Sequence, residues 1–199
     1  MATRVPARMT AEARREQLLD VTKAIVVDRG FHAVSMEAVA REAGVSRPIV
    51  YGHFRDLEGV LEALVAREGA RALEQLGRVL PDALGEAHPR ERLLGALAGY
   101  LEAVRADPDT WRLVLMPQEG APRMLHERIA QGRAAVVEQL ARALGPGSGA
   151  AQSPDPELTA ILLTAFADEA ARLLLADPRR YPAERITALA EWFLGTVPL

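Results

Sequence analysis

The side chains that most often perform catalysis or bind metal ions are few and scattered in this chain of 199 residues. There is no cysteine, which excludes thiol nucleophiles and cysteine-based metal sites. No two histidines have the spacing that would place both on one face of a helix as metal ligands. Asp168 and Glu169 both precede Arg172 by about one helical turn, and a surface ion pair explains that spacing. The four histidines are His32, His53, His88 and His126.

The sequence also lacks the glycine-rich and nucleophile motifs of common enzyme classes. No phosphate-binding loop, dinucleotide fingerprint or G-x-S-x-G sequence is present. We therefore expect no catalytic residue, no metal and no cofactor, and predict that the chain is not an enzyme.

Residues 36–54, MEAVAREAGVSRPIVYGHF, have the pattern of two short helices joined by a tight turn. Gly44 permits a left-handed turn, Val45 fills the corner, and Ser46 is expected to be the N-cap of the second helix. This pattern predicts a helix-turn-helix, whose second helix can enter the major groove of DNA. An ordinary helical corner is the alternative, and the polar and aromatic residues at the end of the second helix argue against it. The first helix has an apolar face made of Met36, Val39, Ala40 and Ala43.

The elements around this motif are predicted to be helical, because helical periodicity runs through nearly the whole chain and no strand pattern occurs. We predict an all-α fold of about nine helices, with a loop at residues 145–156. The helices are predicted at 10–30, 36–43, 46–54, 56–80, 89–106, 107–116, 122–144, 156–176 and 182–196.

Charge is distributed unevenly along the chain, whose formal net charge is −3. Residues 1–55 carry nine basic and six acidic side chains, whereas residues 56–199 carry fifteen and twenty-one. A basic N-terminal segment followed by an acidic remainder suggests that only the N-terminal segment binds a polyanion, although so small an excess of basic residues also arises by chance. No apolar run approaches the ~18 residues of a membrane span, and residues 1–15 lack the apolar segment of a secretory signal. We expect a cytoplasmic protein with no membrane partner.

Residues 12–65 resemble the DNA-binding domain of the tetracycline-repressor (TetR-like) family. The resemblance rests on Gly30-Phe31, on Ser35, on the run Ala43-Gly44-Val45-Ser46, and on Tyr51 and Phe54. It implies a three-helix DNA-binding domain at residues 1–56 and a helical effector-binding and dimerisation domain at residues 57–199.

The resemblance also implies roles for individual residues in DNA binding. Arg47, in the first turn of the recognition helix, is the candidate for a guanine edge. Tyr51 and His53 lie where family members contact phosphates, which position the protein without reading sequence. Leu57 stands where the family often has a phosphate-binding lysine, and Arg55 is the candidate to compensate. For Arg4, Arg8, Arg14 and Arg15, arm or first-helix contacts and disordered, solvated charge are the two alternatives. The full DNA-contacting set is Ser35, Ser46, Arg47, Pro48, Ile49, Tyr51, His53 and Arg55.

For the C-terminal part, the family pattern implies an effector pocket and a dimer interface. Large side chains of the middle helices are the pocket candidates, with core packing as the alternative for each. The helix at 156–176 is apolar on two sides, so a second copy of the chain is expected to cover one of them, in a dimer built by the final two helices. The alternative is that this side packs on the middle helices of the same chain. The pocket candidates are Leu97, Tyr100, Trp111, Leu115, Met116, Met124 and Phe166, and the interface candidates are Leu163, Leu174 and Trp192.

The expected function is sequence-specific regulation of transcription by a homodimer that binds double-stranded DNA at a palindromic operator and is released by an unknown small-molecule effector. One alternative is a DNA-binding protein of the same fold without a small ligand. Another is an all-α ligand-binding protein or enzyme with a vestigial helix-turn-helix.

Overall fold

The computed structural model describes residues 9–83, 89–117, 120–145 and 153–196. Within these ranges it contains nine α-helices, a short 3-10 helix at Phe31–Ala33, and no strand. The predicted all-α class is therefore confirmed. The helices are α1 (Ala11–Arg29), α2 (Met36–Glu42), α3 (Arg47–His53), α4 (Leu57–Ala83), α5 (Pro89–Ala106), α6 (Pro108–Leu115), α7 (Arg123–Leu144), α8 (Pro156–Ala176) and α9 (Ala183–Thr196).

The chain folds into two compact units, and α4 begins in the first and continues into the second. Among the described residues, the first unit contains 9–67 and 120–124, and the second contains the remainder. The domain boundary expected between residues 56 and 57 stays a prediction. Of the predicted loop at 145–156, residues 146–152 lie outside the described part of the chain.

Side-chain caps set the beginnings of several helices. The hydroxyl of Thr10 accepts from Ala13 N at 3.1 Å, and a carboxylate oxygen of Asp56 accepts from Gly59 N at 2.9 Å. Each cap satisfies a backbone donor that the first helical turn leaves open. Ser46 is different, because it has the extended backbone of an N-cap but its side chain makes no capping hydrogen bond. Ser46 therefore occupies the predicted N-cap position of α3, but without a side-chain cap.

The turn between α2 and α3 is closed by two backbone hydrogen bonds around Gly44. Gly44 N donates to Arg41 O at 3.1 Å, and Val45 N donates to Ala40 O at 3.0 Å. Together they form a Schellman motif, which places Gly44 at a φ of 65°. The left-handed conformation explains why this turn contains glycine, and it fixes the direction in which α3 leaves α2.

We expect Gly44→Ala to destabilise the protein by about 1 kcal/mol, because a Cβ is strained in the left-handed region even where space is open. Gly52→Ala is the matched control, since Gly52 lies within α3 with nothing within 4 Å of an added Cβ. That substitution should leave stability unchanged or raise it by about 0.5–1 kcal/mol. Thermal unfolding followed by circular dichroism measures both, and equal melting temperatures for the two variants would contradict this role of Gly44.

The core of the second unit forms where α5 packs on α8 and α9 and α6 packs on α8. Trp111 is its largest fully buried side chain, and the ring of Tyr100 meets it edge-on at a centroid distance of 5.0 Å. Such an edge-to-face pair is a favourable aromatic geometry. The buried cluster comprises Ala72, Leu97, Tyr100, Leu101, Val104, Trp111, Leu115, Ala170, Ala171, Leu174, Leu175, Ile186 and Ala190.

Candidate nucleic-acid interface and ligand groove

Helix α3 buries one side and presents the other to solvent. Val50 is fully buried, and Phe54, directly after the helix, is buried with it. The opposite side is exposed and contains Arg47, Pro48, Ile49 and Tyr51. The structure thus presents, on one exposed helix, four of the residues that the sequence assigns to DNA contact.

Arg47 forms an ion pair with Glu37 on the neighbouring helix α2. One guanidinium nitrogen of Arg47 lies 2.7 Å from Glu37 Oε1, and both side chains are about half exposed. An exposed pair of this kind contributes about 0–1 kcal/mol, so Arg47 can exchange Glu37 for another acceptor at little cost. Glu37 was not among the residues selected from the sequence, since only the packing of α2 against α3 brings it to Arg47.

Arg15 of α1 holds the C-terminal end of α3. Its guanidinium donates to the backbone oxygen of His53 at 3.0 Å and lies over the Phe54 ring, 4.4 Å from the centroid. Both contacts favour a cation at this position, one at an open helix carbonyl and one at an aromatic face. Arg15 was a candidate for a direct DNA contact, and the structure shows it engaged in positioning the recognition helix.

The remaining DNA-contact candidates occupy different environments. The hydroxyl of Ser35 accepts from Ala38 N at 3.1 Å and so caps α2. Ser46 and Arg55 are exposed at the two ends of α3, and His53 is half-buried. Arg4 and Arg8 lie outside the described residues.

The seven pocket candidates are not gathered around one cavity. Leu97, Tyr100, Trp111 and Leu115 lie in the buried core, where they pack on one another and on α8. Met116 and Phe166 are exposed, and Met124 is half-buried in the first unit. Their role in effector binding stays a prediction.

A groove in the second unit, called the α7 groove here, has a volume of about 440 Å³. This falls within the range of small-molecule sites. Within the described part of the chain, its lining has two basic residues, His126 and Arg133, and no acidic one. Sequence reasoning selected none of the lining residues. The apolar part of the lining consists of Pro117, Ile129, Ala130, Ala134, Val137 and Ile161.

Arg133 connects this groove to a buried acid. Its guanidinium forms an ion pair with Asp168 Oδ2, and the hydroxyl of Tyr100 donates to Asp168 Oδ1 at 3.3 Å. Burial raises the pKa of the Asp168 carboxyl, and the positive charges of Arg133 and Arg172 oppose that rise. The interpretation of Asp168 as part of a surface ion pair is therefore wrong, because Asp168 is buried on the inner side of α8. Glu169 does form the expected exposed pair with Arg172, at 3.2 Å.

A second series of side-chain hydrogen bonds begins at Trp111, whose ring packs against Tyr100. The indole nitrogen of Trp111 donates to Gln75 Oε1 of α4 at 2.7 Å. The amide of Gln75 in turn donates to Asp107 at 3.3 Å. Side-chain contacts therefore lead from Arg133, through Asp168, Tyr100 and Trp111, to α4.

Helices α8 and α9 expose a large apolar face, defined by Leu158, Leu162, Phe166, Leu189, Trp192 and Phe193. Leu162 is 61% exposed and Trp192 is 65% exposed. Leu174, by contrast, is only 5% exposed in the core of its own chain, and Leu163 is half-buried. The side of α8 assigned to a dimer partner must therefore be corrected. The side with Leu174 packs on α5, and the side with Leu162 is left uncovered.

Among the described residues, no helix is long and apolar enough to cross a membrane, and no group of three side chains is arranged to bind a metal.

A helix-turn-helix followed by a helical C-terminal domain defines a class of regulatory protein, and comparison with known proteins identifies the family. Residues 18–64 match the model of bacterial regulatory proteins of the tetR family. Residues 89–196 match the tetracyclin repressor-like C-terminal domain. The chain therefore belongs to the TetR family of bacterial regulatory proteins, which confirms the predicted resemblance and the prediction that it is not an enzyme.

The individual relatives differ from this chain at most aligned positions. The chain is 30% identical over 107 residues to the HTH-type transcriptional activator FasR of Mycolicibacterium smegmatis, covering 54% of this chain and 48% of that protein. It thus spans about half the length of the curated relatives it matches. A TetR-like transcriptional regulator from Rhodococcus sp. RHA1 superposes with a TM-score of 0.73 at 27% identity, over 96% of this chain and all of that one. FadR of Bacillus subtilis, solved in complex with stearoyl-CoA, shares the fold with a TM-score of 0.69 at 17% identity, over 91% of this chain and 97% of that one.

Proposed function

We propose that this protein is a sequence-specific, DNA-binding regulator of transcription, acting in the cytoplasm. The observation that carries the proposal is the exposed side of α3, which presents Arg47 and Tyr51 from a helix anchored by Val50. A guanidinium in the first turn of such a helix can form two hydrogen bonds with a guanine edge. Membership of a family of regulatory proteins supports the same function.

Binding as a homodimer is part of the proposal. The apolar face of α8 and α9 supports it, because large apolar side chains on two adjacent helices are stabilised when a second copy covers them. Binding to two half-sites on DNA requires the two copies of α3 to be separated by one DNA turn, ~34–36 Å, or slightly more. The operator is then a palindrome.

Selection of bound sequences from a random pool of double-stranded DNA tests this proposal. The expected result is one palindromic sequence motif, bound by two chains. Enrichment of no motif would contradict sequence-specific binding, and a single half-site bound by one chain would contradict the dimer.

We further propose that the protein represses transcription and that a small molecule releases it from DNA. The α7 groove supports a ligand role for the second unit, and FadR of Bacillus subtilis, a protein of the same fold, was solved with stearoyl-CoA bound. Since FasR is described as an activator, the direction of regulation needs its own measurement. A reporter gene behind the selected operator should be expressed more strongly when this protein is absent, and weaker expression would indicate activation.

We expect Tyr51→Phe to weaken binding to every DNA sequence by about fivefold while leaving sequence preference intact. The Tyr51 hydroxyl is proposed to bind a phosphate, and one such hydrogen bond contributes about 1 kcal/mol. Tyr51 is exposed, so removing its hydroxyl should not disturb folding. Parallel titrations with the selected operator and with a scrambled duplex measure the effect. A changed sequence motif for this variant would assign Tyr51 to base reading instead.

A further inference from the structure

The α7 groove combines an apolar lining with a single arginine at a defined position. Ile129, Val137 and Ile161 provide hydrocarbon surface, whereas Arg133 provides a guanidinium that is half exposed. Among the described residues that line the groove, none is acidic and two, His126 and Arg133, are basic. A ligand that fits this lining has an apolar body and one negatively charged end.

Neighbouring side chains hold the guanidinium of Arg133 in a position that suits such a ligand. Asp168 fixes one side of the guanidinium, and Asp168 is itself held by the Tyr100 hydroxyl at 3.3 Å. A guanidinium has five N–H donors, and its planar shape matches the two oxygens of a carboxylate. The ion pair with Asp168 therefore positions Arg133 while leaving donors that can face the groove.

We propose that the α7 groove binds a small amphipathic carboxylate, with its hydrocarbon chain on Ile129, Val137 and Ile161 and its carboxylate on Arg133. A volume of about 440 Å³ suits a small ligand rather than a protein segment. The ligand carboxylate accepts from the donors of Arg133 that Asp168 leaves open, and Asp168 is linked through Tyr100 and Trp111 to Gln75 of α4. The effector role of such a ligand rests on the proposed function, whereas binding of the carboxylate to the α7 groove does not depend on it.

Calorimetric titration of the full chain without DNA tests the binding. The probes are hexanoate, octanoate and decanoate, with octanol and octylamine as controls of matched length and different charge. We expect at least one carboxylate to bind once per chain, octanol to bind at least tenfold more weakly than octanoate, and octylamine not to bind. Equal binding of octanol and octanoate, or binding of none of the three carboxylates, would overturn the proposal.

Two neighbouring alanines of α7 provide a matched pair of variants. Ala134 lines the groove and Ala135 does not, and both are exposed, so glutamate at either position should leave folding intact. We expect Ala134→Glu to abolish carboxylate binding by repulsion, and Ala135→Glu to retain it within twofold. Arg133→Gln should weaken binding at least tenfold. If Ala135→Glu weakens binding as much as Ala134→Glu does, the groove is not the site. Carboxylate binding that does not release the selected operator would support this site and contradict only its use in the proposed function.

Discussion

Replacing Leu162 and Trp192 together by glutamate is expected to convert the dimer into a folded monomer that no longer binds its operator. Both side chains are largely exposed in the single chain, so the substitutions leave its core intact. Two-fold symmetry brings four carboxylates into the interface at once. Since each desolvated, unpaired carboxylate costs several kcal/mol, the affinity between chains should fall by on the order of 1000-fold or more.

Analytical sedimentation measures the change in assembly, and titration with the selected operator measures DNA binding. Leu73→Glu is the matched control, because Leu73 is also an exposed leucine of the second unit but lies on α4, outside the apolar face. This control should remain a dimer and bind DNA. A folded double variant that stays dimeric would show that the interface lies elsewhere, whereas a monomer should lose operator binding because one recognition helix makes only half of the contacts.

Arg47→Ala is expected to remove sequence preference at one base pair in each half-site. A bidentate arginine–guanine contact discriminates against other bases by about 1–3 kcal/mol, which corresponds to a loss of about 5- to 150-fold. In the free protein Arg47 pairs with Glu37 at 2.7 Å, and exchanging this exposed partner for guanine costs little. Repeating the selection from random DNA with the variant measures the effect position by position.

Arg55→Ala is the control for charge alone. Arg55 is exposed beyond the end of α3, and its loss removes the same charge without removing a group from the first turn. This control should weaken binding to all sequences alike and make the slope of log affinity against log salt shallower by about 0.9. If Arg47→Ala instead keeps full preference at every position, Arg47 contacts a phosphate or nothing.

The helix boundaries were predictable from the sequence because the residues that set them act locally. Thr10, Ser35, Asp56 and Asp107 each accept a hydrogen bond from a backbone nitrogen three residues later. Gly44 has the positive φ that its turn requires. Ser46 is the exception, since a serine at an N-cap position can leave its hydroxyl unused by the helix.

The orientation of α8 could not be predicted from periodicity, because both of its sides are apolar. Its buried side contains Leu174 and Leu175 as well as Ala160, Ala170 and Ala171, and its exposed side contains large residues such as Leu162 and Phe166. Large apolar side chains therefore occur on both sides, and their pattern could not identify the packed one. The contact between Asp168 and Tyr100 had no such signal, since 68 residues separate the two and only the packing of α8 on α5 joins them.

The two tryptophans of the chain occupy opposite environments, which makes its natural fluorescence a report on two separate events. Trp111 is 2% exposed, with its indole nitrogen hydrogen-bonded to Gln75, whereas Trp192 is largely exposed. A shielded indole emits at shorter wavelengths and is poorly reached by dissolved iodide, and an exposed indole has the opposite behaviour. Iodide should therefore quench Trp192 in the monomer and spare it in the assembled protein. The shorter-wavelength emission of Trp111 should change only when the interior of the second unit rearranges. Fluorescence of a single unlabelled sample therefore distinguishes dimer assembly from an internal structural change.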